Sequence, residues 1–231
     1  HSEMTAWPIQ VTRLTTKALS ALGDPIRADD QANYMKHVAP FLGIATPERR
    51  MATKQAWKAL PIPSSDELGE AALQLFMKPE REFHYAACDL IHKYIDSADE
   101  TFLAEYLEQL LTTKSWWDTV DALVSAGVSP LCWRYDATEI IDQWSESQNR
   151  WLIRAAIGHQ RGWKSNTDID QVLHICDRHW EDSEFFIAKA IGWALRDITA
   201  VDSQSVRRFL HTHPIKNSVA EREAIRGLKR A

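Results

Sequence analysis

Trp151-Leu152-Ile153-Arg154-Ala155-Ala156-Ile157 decides the fold, because its pattern returns at a fixed interval along the chain. The same register holds Phe83-His84-Tyr85-Ala86-Ala87-Cys88-Asp89, Trp117-Asp118-Thr119-Val120-Asp121-Ala122-Leu123, Phe185-Phe186-Ile187-Ala188-Lys189-Ala190-Ile191 and Val219-Ala220-Glu221-Arg222-Glu223-Ala224-Ile225, so five anchors stand 34 residues apart with no gap. Five places after each anchor the residue is small (Cys88, Ala122, Ala156, Ala190, Ala224), which lets helices approach closely. One place further, Leu123, Ile157, Ile191 and Ile225 offer a branched aliphatic side chain to a shared core, and Asp89 breaks the column. A period of this size indicates stacked two-helix units. The Trp, Leu-Gly and Tyr pattern of tetratricopeptide repeats is absent at the anchors, so the expectation is an all-α, right-handed-type solenoid of HEAT-like two-helix repeats.

Working outward, the first helix of each pair is expected near 65–78, 100–113, 137–146, 168–180 and 202–212, with the second starting at each anchor. Ser64-Ser65-Asp66-Glu67, Asp168 and Ser183-Glu184 place short polar acceptors where first turns need their amides satisfied. Pro61 and Pro63 separate an N-terminal cap of three helices (9–22, 26–39 and 46–59) from the repeats, and Pro130 and Pro214 are expected in connections. One domain spanning 1–231 is expected, with the cap over roughly 4–60 and five repeats over 61–231. His1-Ser2-Glu3 resembles a tag remnant and takes no part in the argument.

Composition narrows the function. The 231 residues are 45% hydrophobic, with only 8 Gly and 9 Pro, enough apolar material to bury a continuous spine. Three distant cysteines, Cys88, Cys132 and Cys176, form neither a disulfide framework nor a zinc ribbon, and fit a reducing cytoplasm. No apolar run matches a membrane span or a signal segment. The net charge of −5 speaks against nucleic acid, yet 204–231 holds seven Lys or Arg against two Glu, a local +5 that leaves −10 for the rest. That segment reads either as a DNA-facing stripe or as a solvated closing helix. His174, Cys176 and His179 do not share a helical face, so no metal is expected. The nine histidines are expected at the surface. Nucleotide-binding and esterase motifs are absent.

Departures from the repeat rule mark candidate functional residues. Four places after the anchors stand Ala87, Asp121, Ala155, Lys189 and Glu223, a position expected to face outward or into a groove. Asp121 lies one helical turn beyond Trp117, and Trp193 one turn beyond Lys189, while Arg154 stands where the other copies hold Ala86, Val120, Ala188 and Arg222. Stacked side by side, second helices would bring Trp117, Asp121, Arg154, Lys189 and Trp193 to one wall. Equally, Trp117 and Trp193 read as core aromatics and Asp121 as a solvated acid.

Ser115-Trp116-Trp117-Asp118-Thr119-Val120-Asp121 resembles the signature of the AlkD-type bacterial DNA alkylation-repair glycosylases. Tyr34-Met35-Lys36, Phe41-Leu42-Gly43-Ile44, Thr46-Pro47-Glu48-Arg49-Arg50, Arg81-Glu82-Phe83, Glu184-Phe185-Phe186-Ile187 and Lys189-Ala190-Ile191-Gly192-Trp193-Ala194-Leu195-Arg196 agree with it, in order, over about 9–228. The resemblance implies a C-shaped solenoid with a concave groove for duplex DNA and excision of positively charged N3- and N7-alkylpurines, bulky adducts included, without a base-flipping pocket. It implies Asp121 as the catalytic carboxylate, with Trp117 and Trp193 flanking the lesion, Tyr34 near it and Arg154 in the DNA groove; Lys189, one turn before Trp193, is expected to hold backbone phosphate with Arg154. A monomer without a cofactor, acting in the bacterial cytosol, is expected. The alternative is a non-catalytic repeat scaffold binding DNA or protein.

Overall fold

The structure, a computed structural model, describes residues 2–214 and 218–230. His1 and Lys216, one of the basic residues of the C-terminal segment, lie outside the described residues. Every regular element among the described residues is helical, and none of their helices is long and apolar enough to cross a membrane. The chain divides into two compact units, His1–Leu131 and Cys132–Ala231.

In the first unit three helices, α1 (Ser2–Ser20), α2 (Pro25–Tyr34) and α3 (Thr46–Ala56), precede two pairs. The first pair is α4 (Ser65–Met77) with α5 (Arg81–Lys93). The second is a π turn at Leu103–Leu107 running into α6 (Glu108–Leu111), followed by α7 (Trp117–Leu123). The second unit holds α9 (Thr138–Ser145) with α10 (Arg150–Ile157), α11 (Ile169–Arg178) with α12 (Phe185–Thr199), and α13 (Ser203–Thr212) with α14 (Ser218–Arg230). Between the two runs α8 (Ser129–Arg134) carries the chain past residue 131. Each second helix begins within two residues of its anchor.

The caps act where the sequence puts them. The Ser64 hydroxyl accepts from the Glu67 amide while the Glu67 carboxylate accepts from the Ser64 amide, a reciprocal box. Asp168 accepts from the Gln171 amide, and Glu184 from the Ile187 amide. Each such cap stabilises a helix start by about 1 kcal/mol. Pro61 and Pro63 lie in the connection after α3, and the Pro61 carbonyl accepts from the Trp7 indole at 2.8 Å.

Second helices pack side by side within each unit, α3 on α5 and α5 on α7 in the first, α10 on α12 and α12 on α14 in the second. The column of branched residues supplies the seams, with Leu123, Ile157 and Ile191 almost wholly buried. Ile225 departs from that expectation and is 38% exposed, on a side of α14 turned from its packing partners. The position four after each anchor also departs, since Ala87, Ala155 and Glu223 are buried where the neighbouring helix covers them.

Three further expectations are corrected. Pro130 does not fall in a connection: it is the second residue of α8, directly after a π turn at Val124–Val128. Proline supplies no N–H, and a turn wound wider at that point accommodates the missing rung. Helix α2 ends at Tyr34 rather than near 39, because Lys36 and His37 both take φ of 58°, a left-handed conformation that stops a helix. His84 and His159 are buried rather than at the surface. All three cysteines are buried free thiols.

Candidate functional site

Trp117 and Asp121 sit on α7, and the placement of that helix rests on two buried charges. Arg81, without solvent exposure, donates from Nε and a terminal nitrogen to the two Asp118 oxygens at 2.9 and 2.6 Å. A further donation from Arg81 reaches the Lys114 carbonyl at 2.7 Å, and the Tyr85 hydroxyl donates to Asp118 at 2.6 Å. Burial by itself would raise the Asp118 pKa, but the Arg81 hydrogen bonds and charge, with the Tyr85 hydroxyl, outweigh it and hold the carboxyl below its ordinary value. Asp118 is the second residue of α7, so the pair ties the first turn of that helix to α5.

His84 completes the cluster. Its Nε2 lies 2.7 Å from the Lys78 carbonyl, which only an N–H can satisfy, so Nδ1 is left to accept from Arg81 at 3.2 Å. The ring is therefore neutral, in accord with a pKa that burial lowers to about 4. Glu82, which follows Arg81, faces the other way: its buried carboxylate accepts from the amides of Leu42, Gly43 and Ile44 at 2.9, 2.8 and 3.1 Å. Gly43 takes φ of 89°, and a Cβ there would collide with the Asp24 carbonyl. Arg81-Glu82 thus fastens the α7 start with one residue and the 42–44 loop with the other.

Two open cavities lie against this frame. One of about 470 Å³ is lined by Tyr34, Met35, Phe41, Arg49, Arg50, Tyr85, Trp117 and Asp118. The other, of about 1000 Å³, is lined by Asp121, Ala122, Asp89, Arg50, Lys54, His92, Lys93 and Trp57. Arg50 borders both. Tyr34, 71% exposed, and half-buried Trp117 thus share a cavity, while half-buried Asp121 faces the neighbouring one with a second carboxylate and several cations.

In the second unit Arg154 and Trp193 meet. The buried Arg154 guanidinium donates to the Phe186 carbonyl at 2.8 Å and stands 4.9 Å from the centre of the half-buried Trp193 ring. Exposed Arg161 stands 5.1 Å from the same ring. Lys189, one turn before Trp193, is not beside Arg154 in this way, since its ammonium pairs with Glu223 at 2.7 Å. Glu223 also meets Arg196 and Arg226 at 3.8 and 3.4 Å, and the Lys189 hydrogen bond, first among these contacts, holds its pKa down. Among the described residues no cluster of three or more His, Cys, Asp or Glu side chains is arranged for a metal.

Asp118, Arg81, Glu82, Asp89 and Arg50 were not candidates on sequence alone. The signal for Asp89 was present, an acid in an aliphatic column; Arg81 and Glu82 stood in a quoted string without a role.

The chain is all helical among the described residues, built of recurring helix pairs, and in each unit second helices carry carboxylate, indole and guanidinium groups. The family model described as DNA alkylation repair enzyme matches residues 15–228, and the chain belongs to that family. Among solved structures, a predicted DNA alkylation repair enzyme from Enterococcus faecalis is similar with a TM-score of 0.81 and 29% identity, over 90% of this chain and 98% of that one. No curated protein matches the chain. Family membership gives it a role in repair of alkylated DNA, with DNA as its partner.

Proposed function

We propose that the protein is a DNA glycosylase that excises positively charged N3- and N7-alkylated purines from duplex DNA. The observation that carries this reading is Asp121, a half-buried carboxylate one turn beyond Trp117 on the wall of a cleft that Arg50, Lys54 and Lys93 also line, with Asp89 as its second carboxylate. A scaffold that only held phosphates would gain nothing from a carboxylate there, which repels them.

An N7- or N3-alkylated purine already carries the charge that makes it a leaving group. When the bond from C1′ to the base breaks, its electron pair goes to the purine, which leaves neutral, and the deoxyribose becomes an oxocarbenium ion. A fixed carboxylate stabilises that cation, and it accepts a hydrogen bond from the water that adds to C1′ and gives up a proton. Trp117 offers a π face to the cationic base or sugar, worth about 0.5–2 kcal/mol by cation–π attraction, and Trp193 of the second unit meets the DNA with Arg154 and Arg161 already against its ring. Arg154, committed to the Phe186 carbonyl and the Trp193 ring, orients that indole, and exposed Arg161 over the same ring reaches toward a phosphate. Tyr34 meets the DNA beside Trp117. Lys189 adds to the field with Glu223 attached. No proton has to be supplied to the base, so neutral lesions are poor substrates, and because both cavities are open, adduct size is no barrier.

The test is incubation of the protein with duplex DNA carrying N7-methylguanine and, separately, a neutral lesion such as 1,N6-ethenoadenine. Free 7-methylguanine and an abasic site from the first, with the second untouched, is the expected result. Binding without release from either would leave a non-catalytic DNA-binding protein.

A further inference from the structure

Asp89 stands where three of the other four copies bury an aliphatic side chain in a seam, so its charge requires a reason. Its two oxygens face two adjacent arginines of α3. Oδ2 accepts from the Nε of buried Arg49 at 3.2 Å, and Oδ1 lies 3.7 Å from the Nε of Arg50. The Arg49 guanidinium also lies 5.2 Å from the centre of the Tyr85 ring, whose hydroxyl donates to Asp118 in the first turn of α7. Asp89 is thereby joined through Arg49 and Tyr85 to the helix that carries Trp117 and Asp121.

The two arginines differ in what they are left to do. Arg49 is enclosed, with 6% of its side chain exposed, and serves the fold. Arg50 keeps 66% of its side chain exposed and borders both the Trp117 and the Asp121 cavities. Contact at Nε orients a guanidinium while its terminal nitrogens remain a planar fork suited to a phosphate's oxygens. A phosphate held there would sit in the cavity that Asp121 also lines, and the Arg50 charge would offset the carboxylate's repulsion of it.

We propose that Arg50 clamps a backbone phosphate of duplex DNA next to Asp121, and that Asp89 is the positioning residue that aims it. The phosphate contact stands on this geometry; its service to base excision rests on the glycosylase reading. The sign of the Asp89 effect separates positioning from bulk charge. Asp89→Asn removes one negative charge from a DNA-binding surface, which by charge alone tightens binding; loss of aim weakens it.

The experiment measures duplex affinity by fluorescence anisotropy across a salt series, with single-turnover 7-methylguanine release, for the parent, Arg50→Ala, Arg50→Lys and Asp89→Asn. Arg50→Ala is expected to weaken binding about tenfold and to lower the slope of log affinity against log salt by about one. Arg50→Lys should restore the slope but not the release rate, since an ammonium keeps the charge and loses the fork. Asp89→Asn should bind more weakly than the parent. An unchanged slope in Arg50→Ala, or tighter binding in Asp89→Asn, overturns the proposal. If Asp89→Asn does not fold, because Arg49 loses its partner, Arg50→Ala alone decides, its side chain being mostly in solvent. A parent that releases no base while Arg50→Ala still flattens the slope refutes the glycosylase reading and supports the clamp.

Discussion

Arg81→Met removes the cation from the most enclosed ion pair described in the protein and keeps most of the side-chain volume. Arg81 has no exposure and the Asp118 side chain 5%, so the carboxylate left behind loses two charge-assisted hydrogen bonds with little water in reach to replace them. The Lys114 carbonyl loses its donor as well. Removing one partner of a buried pair destabilises by about 3–5 kcal/mol, which at roughly 2–4 °C per kcal/mol lowers the thermal midpoint by roughly 6–20 °C. The pH dependence changes sign too. In the parent, Asp118 is depressed, so it stabilises the fold above the unfolded carboxyl pKa near ~3.9 and that contribution is lost as pH falls through the lower folded value. Without Arg81, burial dominates and raises the carboxyl pKa, so protonation relieves the deficit as pH falls toward ~4. Melts followed by circular dichroism, on the parent, Arg81→Met and Arg81→Met with Asp118→Leu, measure all three effects. The double variant should recover more than half of the loss, because no unpaired charge remains. A single variant within about 1 kcal/mol of the parent, or a double variant worse than the single one, would refute the reasoning.

Three other outcomes follow from the same frame. His84 has a folded pKa near about 4 against 6.5 unfolded, so the unfolded chain binds the extra proton first; stability should fall by about 3 kcal/mol between pH 6.5 and 4, and His84→Gln should remove that slope in pH-dependent urea titrations. Gly43→Ala should cost more than about 2 kcal/mol in urea unfolding, because the left-handed φ and the Asp24 carbonyl both exclude a Cβ. Trp193→Ala should slow 7-methylguanine release more than it changes the melting midpoint, since the ring is half-buried and held by arginines rather than packed into the core.

The 34-residue register, the caps and the pairing of helices were legible because each rests on local chemistry that repeats: a small residue at a seam, a short acceptor at a first turn. The buried charges were not. Arg81, Glu82 and Asp118 occupy helical positions where a charged residue ordinarily marks the solvated face, and only the approach of α5 to α7 and to the 42–44 loop turns them inward. Nor does anything in Lys36-His37 announce two left-handed residues. Pro130 carried the ordinary signal of a break and was accommodated by a π turn. Of the candidate site, Asp121 was visible as a departure from the repeat, as was the carboxylate at 89, while Trp117 and Trp193 were singled out by their spacing of one helical turn from Asp121 and Lys189 and by the resemblance. What Asp89 holds was not visible, because α3 lies outside the repeat register.

The measurement that tests the central claim most directly is single-turnover release of 7-methylguanine from N7-methylated duplex DNA by the parent and by Asp121→Asn, which keeps the shape and removes the charge. Release by the parent, slowed at least about tenfold in Asp121→Asn, or about 1.4 kcal/mol of transition-state stabilisation, with duplex affinity unchanged or tighter, is the result expected of a carboxylate that stabilises the sugar cation. Equal rates from the two proteins would contradict it.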